Sequence, residues 1–298
     1  MATEPPIMAT TFNTTNMSTG GNPLSKHFRS PALQVKLPSA GRFWPVGSLD
    51  QSPTGEYSVF PMTARDEMIF NNPDALLNGQ AVVDVIQSCI PAIKNAWAIP
   101  STDIDSILIA IRIASYGEIM DFDSNCPACS AENSFGVDLR TFLDRTVDVT
   151  VYDTPRSFNG LTFEFRPQDY STINKLSMET FNTQRLIQIA ENDNLEDDEK
   201  LARTNVIFKK MTDFTVGVIT NGIVSITTAE GQKVDNPQYI DEFMRNCDRK
   251  TFDFIQKSIE EIGKILSSND VDAKCSDCGH QYNIPFTFDN ANFFASGS

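Results

Sequence analysis

Four cysteines in two pairs, Cys126-Pro-Ala-Cys129 and Cys275-Ser-Asp-Cys278, constrain this chain more than any other feature. Residues 130 to 274 lie between the pairs. Each CxxC turn presents two thiolates from a tight backbone loop, and two such turns facing each other make a tetrahedral four-sulfur site. Soft thiolates in that geometry suit zinc, or an iron of the rubredoxin kind. The flanking residues support the pairing. Counted from the first Cys of each segment, Phe135, Val137 and Leu139 fall at the same offsets as Ile284, Phe286 and Phe288. That spacing has period two, so each turn should feed a β-strand with one buried face. Gly279 follows the second pair and suits the positive φ such a turn requires, and Ser130 holds the same place in the first. The expected arrangement is a split zinc ribbon built from residues 126–140 and 275–289. It would hold one structural Zn ion on Cys126, Cys129, Cys275 and Cys278, and would join mid-chain to C-terminus.

Other readings of these cysteines fit less well. A redox CxxC needs only one pair, followed by a helix. A catalytic zinc needs an open position, which four thiolates deny. Two turns without metal leave the matched offsets unexplained. His280 reads as a neighbour of the site or a solvent-facing residue. With no secretory signal at the N-terminus, a disulfide framework is not expected. The remaining cysteines, Cys89 and Cys247, fall in helical, partly apolar stretches and read as core thiols.

Composition excludes several classes. Hydrophobic residues make up 40% and charged residues 21% of the 298 positions, which is ordinary for a soluble globular protein. No apolar run has the length of a membrane span. The formal net charge is −15, and no basic stripe is evident, which argues against phosphate-driven nucleic-acid binding. Only His27 and His280 could act as an imidazole base, and neither has a nucleophile-bearing context. No phosphate-cradling glycine motif occurs. No enzyme and no small-molecule substrate are therefore expected.

The chain organisation reads as α+β. A mainly helical domain carries small β elements and the split ribbon. Residues 1–32 are rich in Thr, Ser, Asn, Met and Pro and read as a flexible N-terminal arm. Residues 33–298 read as a single globular domain. Alternation over Gln34–Leu37 and Glu56–Phe60 predicts two short strands. Asp74–Ile90 predicts a helix ended by Pro91. The run Pro100-Ser-Thr-Asp103 predicts a helix start with a hydroxyl cap, followed by a nearly all-apolar, central helix. Val147–Phe165 reads as a hairpin turning at Asn159-Gly160, and a helix follows Pro167 to about Ala190. An acidic loop is expected over Asn192–Glu199. Asn221-Gly222 suggests a turn, yet Phe208, Met211, Thr215, Ile219, Ile223 and Ile226 step by three and four, which favours one long helix over 200–227. Asn236-Pro237 opens another helix. The last helix carries Ile255, Ile259, Ile262 and Leu266 on one stripe. Arg42, Phe43 and Trp44 are candidate contact residues, or else the aromatics pack under the β element. Arg65-Asp66-Glu67 reads as an ion pair and helix cap or as a docking point.

Several stretches together, in this order, resemble the baseplate hub subunit family of T-even-type contractile-tailed bacteriophages. They are Val35-Lys-Leu-Pro-Ser-Ala-Gly-Arg-Phe43, Pro61-Met-Thr-Ala-Arg-Asp-Glu67, Asp74-Ala-Leu-Leu-Asn-Gly79, Ala110-Ile-Arg-Ile-Ala114, Cys126-Pro-Ala-Cys129 and Phe288-Asp-Asn-Ala-Asn-Phe-Phe294. The likeness spans roughly residues 33 to 295. It implies a virus protein that docks to other phage baseplate and tail proteins. It would reside in the virion tail baseplate, and in the host cytoplasm during assembly, with the arm engaging a neighbour. An assembly chaperone absent from the mature virion, a zinc-ribbon nucleic-acid regulator, and an enzyme with the ribbon as appendage are the alternatives.

Overall fold

The structure is a computed structural model that describes residues 22–70, 72, 78–145, 147–192, 197–266 and 270–285. The chain divides into two units, residues 1–30 and 31–298. In the first, a short 3-10 turn spans Pro23–His27, and Asn22 Oδ1 accepts from the Leu24 amide at 3.0 Å. His27 lies in this turn.

The second unit is α+β, mostly helical, with small antiparallel sheets and two hydrophobic cores. The first core begins with strands β1 (Leu33–Lys36) and β2 (Glu56–Val59), which pair antiparallel from Leu33↔Val59 to Lys36↔Glu56. Helix α1 (Ala64–Phe70) follows, then α2 (Gln80–Cys89) and α3 (Ser101–Tyr116). Asp74–Leu77, where the α2 helix was expected to begin, lie outside the described residues. Thr63 and Asp66 cap α1 reciprocally: Asp66 Oδ2 accepts from the Thr63 amide at 2.8 Å, and Thr63 Oγ1 accepts from the Asp66 amide at 3.2 Å. Ser88 Oγ also donates to Asp66 Oδ2, at 3.0 Å, which ties α2 to α1. Within the 65–67 segment, Asp66 thus serves the helix cap, while Arg65 and Glu67 are exposed. Cys89 is fully buried beside Ile86 and Ile90, as a core thiol.

Helix α3 is central, with Ile107, Leu108, Ile109, Ala110 and Ile111 all buried. Its start differs from the expected hydroxyl cap. Pro100 holds the cap position without a side-chain bond, and the Ser101 amide donates to the Gln168 carbonyl at 2.7 Å. Asp103, in the first turn, turns inward instead. Its carboxylate is fully buried and accepts from Ser39 N (2.8 Å), Ser39 Oγ (2.5 Å), Trp44 Nε1 (2.7 Å) and Thr102 Oγ1 (3.3 Å). Burial raises its pKa, while the Ser39 and Trp44 bonds oppose the rise. Of the two readings of residues 42–44, this network matches packing of the aromatics, while Arg42 stays exposed. Trp44 is buried on Asp103, Phe43 meets Tyr152 edge-on at 5.3 Å, and Arg42 is paired with Asp153.

The second core lies on a four-stranded sheet, in order β5 (Arg156–Phe158), β6 (Leu161–Phe165), β7 (Ile223–Thr227) and β8 (Lys233–Val234). Asn159 and Gly160 turn β5 into β6 with φ of 48° and 75°, as a two-residue hairpin needs. The first strand of this hairpin is shorter than expected. Val149 and Val151 belong to a 3-10 helix, Val149–Asp153, because Asp148 Oδ1 accepts from the Thr150 amide at 3.0 Å and caps it.

After the short helix α4 (Arg140–Leu143), two long helices, α5 (Tyr170–Asn192) and α6 (Asp197–Asn221), pack on each other. Asp197–Glu199, expected in a loop, begin α6; residues 193–196 lie outside the described set. The expected helix over 200–227 stops at Asn221, and Ile223 and Ile226 enter β7. The stop has a physical cause. Gln168 Nε2 donates to the Val218 carbonyl and Arg166 Nε to the Asn221 carbonyl, each at 2.8 Å, which satisfies the last carbonyls of α6. Gly222 lets this happen, since a Cβ there would sit 2.8 Å from Gln168 Nε2.

Helices α7 (Pro237–Asn246) and α8 (Arg249–Leu266) cover the sheet with Ile240, Met244, Ile255 and Ile262. Asn236 caps α7 by accepting from the Gln238 amide at 2.9 Å, as expected. Cys247, at the end of α7, is half-buried, and that burial raises its thiol pKa. The start of α5 is held on the first core, where Tyr170 N donates to Ile99 O at 2.8 Å and the Tyr170 ring stacks on Trp97 at 5.6 Å. Among the described residues, no helix is long and apolar enough to cross a membrane.

Removing the buried acceptor should damage the first core. Asp103→Ala strands the Ser39 and Trp44 donors and is expected to cost about 3 kcal/mol in urea unfolding. Gly222→Ala should destabilise by about 1–3 kcal/mol through its clash with Gln168, read in the same assay.

Candidate metal centre

The four cysteines converge. Each pair sits at the tip of an antiparallel hairpin. The first is β3 (Ile119–Asn125) with β4 (Glu132–Asp138), and the second is β9 (Asp270–Lys274) with β10 (Gln281–Pro285). The strands after each pair were legible in the sequence, and Phe135, Val137 and Ile284 are half-buried along them. The strands before each pair, β3 and β9, were not, because Asp121, Asp123, Asp270 and Asp272 are poor strand formers and read as a solvated acidic stretch, although they alternate with Met120, Phe122, Val271 and Ala273. Leu139 follows β4 and is fully buried. Phe286 and Phe288 lie outside the described residues.

The two tips share one backbone plan. The Cys126 amide donates to the Ala131 carbonyl at 2.9 Å, and the Ser130 amide to the Cys126 carbonyl at 2.8 Å. In the second tip, the Cys275 amide donates to His280 at 2.9 Å and the Gly279 amide to Cys275 at 3.1 Å. Ser130 and Gly279 both adopt the left-handed region, at φ 61° and 73°. Further amides point at sulfur: Ala131 N at Cys129, and His280 N at Cys278. Such donors stabilise thiolates.

The sulfur atoms lie within 4.8 Å of one another, with Cys126–Cys278 at 3.7 Å and Cys129–Cys275 at 3.6 Å. These separations are well beyond the roughly 2.05 Å of a disulfide. They are close to the about 3.8 Å edge of a tetrahedron with 2.3 Å metal–sulfur bonds. Cys126 and Cys275 are buried, and Cys129 and Cys278 are exposed. The protons are unevenly held. The Cys278 and Asp277 amides, with Asn133, pull the Cys275 thiol down to about 6. The Ala131 amide pulls Cys129 down, but its thiol neighbours outweigh it and push the group up to about 12. Four thiols at this spacing cannot all ionise unaided; a bound dication would supply the missing charge. The donor set therefore fits a divalent, thiolate-preferring metal.

One residue of the centre escaped the sequence reading. Asn133, buried on β4, reaches across to the second tip. Its Oδ1 accepts from Ser276 N and Ser276 Oγ, each at 2.9 Å. Its Nδ2 donates to the Ala131 carbonyl at 2.9 Å and to Cys275 Sγ at 3.6 Å. A lone Asn seven residues beyond Cys126 gave no signal in the sequence. His280 is exposed and its ring stacks on Tyr282, 6.2 Å away.

A family model described as T4 bacteriophage base plate protein matches residues 31–295. The chain belongs to that family of phage baseplate proteins. No curated protein and no solved structure matches it.

The left-handed Ser130 predicts a substitution in each direction. Ser130→Gly should stabilise the chain by about 1 kcal/mol, and Gly279→Ala should destabilise it by a similar amount, in thermal or urea melts.

Proposed function

We propose that this protein is a structural or assembly component at the hub of a phage tail baseplate, and that one zinc ion on Cys126, Cys129, Cys275 and Cys278 fixes the shape with which it docks. The family match over residues 31–295 carries the baseplate role. The hub placement rests on the ordered likeness of the stretches from Val35 to Phe294. The clustering of four sulfurs within 4.8 Å supports the metal. When bound, the zinc supplies charge neutralisation and a rigid four-way link, with no open position for substrate or water. The work of this centre is to hold two hairpins together. Residues 1–32 act as an arm that engages a neighbouring tail protein, and residues 33–298 act as the docking body. The net charge of −15 favours basic protein surfaces as partners. No nucleic acid or small molecule has a role in this reading.

Two measurements test it. Mass spectrometry of purified virions and of baseplate intermediates should find the protein in at least the intermediates. Absence from both would sink the baseplate docking role, and presence in intermediates alone would mark an assembly factor released before maturity. Elemental analysis of the purified chain should give one zinc per molecule. Structural zinc is worth on the order of 10–16 kcal/mol in small peptides, so a strong chelator should unfold at least the C-terminal hairpin. An unchanged circular dichroism spectrum after complete metal removal would contradict the structural role.

A further inference from the structure

The two cysteine hairpins match in their backbone but not in what surrounds the sulfurs. Seven residues beyond the first cysteine of each pair stand Asn133 and Tyr282. Asn133 crosses to the other tip and bonds Ser276 and Cys275. Tyr282 makes no reciprocal bridge. Its hydroxyl is buried without a hydrogen-bond partner among the described residues, and its ring meets Phe135 edge-on at 6.4 Å. The sequence explains the asymmetry. Ser276 follows Cys275 and offers an amide to the Asn133 carbonyl oxygen. Its counterpart after Cys126 is Pro127, which has no N–H to offer. An amide side chain at 282 would find no such donor, so an aromatic ring fills the space.

The orientation of Asn133 is fixed by its partners. The Ser276 backbone N–H can only donate, so it faces Oδ1. The Ala131 carbonyl can only accept, so it faces Nδ2. The same Nδ2 then points an N–H at Cys275 Sγ. Cys275 already receives the Cys278 and Asp277 amides, whereas Cys129 and Cys278 each receive one backbone amide, from Ala131 and His280.

We propose that Asn133 is a positioning residue of the metal centre. It locks the second cysteine tip against the first hairpin and lowers the electron-donating strength of the Cys275 thiolate, making this sulfur the anchored ligand of the set. This rests on the four-thiolate metal reading above. Outer partners of metal ligands commonly change affinity by about 10- to 100-fold, and hydrogen bonds to sulfur tune the electronic state of the bound metal.

Cobalt(II) loaded into the full-length chain tests the proposal, since its thiolate charge-transfer band reports donor strength and chelator competition reports affinity. Asn133→Ala removes both the bridge and the N–H. Asn133→Asp is nearly isosteric and keeps an acceptor for Ser276, but puts an oxygen where the N–H faced sulfur. Both variants should bind cobalt about 10- to 100-fold more weakly and shift the charge-transfer band to lower energy. Ser276→Ala keeps the N–H to sulfur and should leave the band at its wild-type position. Circular dichroism checks that each variant is folded. Asn133→Asp with wild-type affinity and an unmoved band would overturn the proposal alone. Failure of the wild-type chain to take up cobalt would overturn it together with the metal reading.

Discussion

The meeting of four sulfurs at two hairpin tips is the contact on which the chain's closure depends. The first hairpin rests on the first core through Met120, Phe122 and Val137. The chain then leaves to build the second core, which ends with Ile262 and Leu266 of α8. Strand β9 brings it back, with Val271 packed on the first core. A two-stranded hairpin is marginal in water by itself. The Asn133 bonds to Ser276 and Cys275 join the two tips, so each hairpin supports the other and a very long loop is closed at one point.

The second constraint is polar and buried. Asp103 gathers donors from the β1–β2 connection and from its own helix, so the loop over Ser39–Trp44 is folded onto α3. A buried carboxylate is tolerated because its oxygens are satisfied by aimed N–H and O–H groups. From this loop, Phe43 and Arg42 reach Tyr152 and Asp153, next to the second core. The same short segment therefore organises one core and touches the edge of the other. Trp44 and Phe43 thus serve internal contacts, and Arg42 a surface pair with Asp153.

Sequence reasoning succeeded where the signal was local or chemically specific. The cysteine pairing, the positive φ after each pair, the Asn159-Gly160 turn, the Asn236 cap and the apolar stripe of α8 each rest on a few adjacent residues. It failed where a distant partner decided the outcome. The periodicity of residues 208–226 is helical throughout, yet the helix ends at Asn221 because Arg166 and Gln168 capture its carbonyls from another part of the chain. The Ser101 and Thr102 hydroxyls suggest a cap, yet the Ser101 amide bonds Gln168 and Asp103 turns inward to Ser39. Val149 and Val151 alternate like a strand, yet Asp148 caps them into a 3-10 turn.

The sequence by itself determined the chemistry of the site: which four residues could hold a thiolate-preferring metal. It also determined the family, since the ordered stretches lie within the matched residues 31–295. Only the tertiary structure decided that the second unit has two cores, that a second strand precedes each cysteine pair, and that Asn133 joins the tips. The physical reason is one of range. Ligand identity is carried by side-chain chemistry and local spacing. A bond such as Asn133 to Ser276 depends on two backbones, remote in sequence, arriving in register, and no pattern along the chain records that arrival.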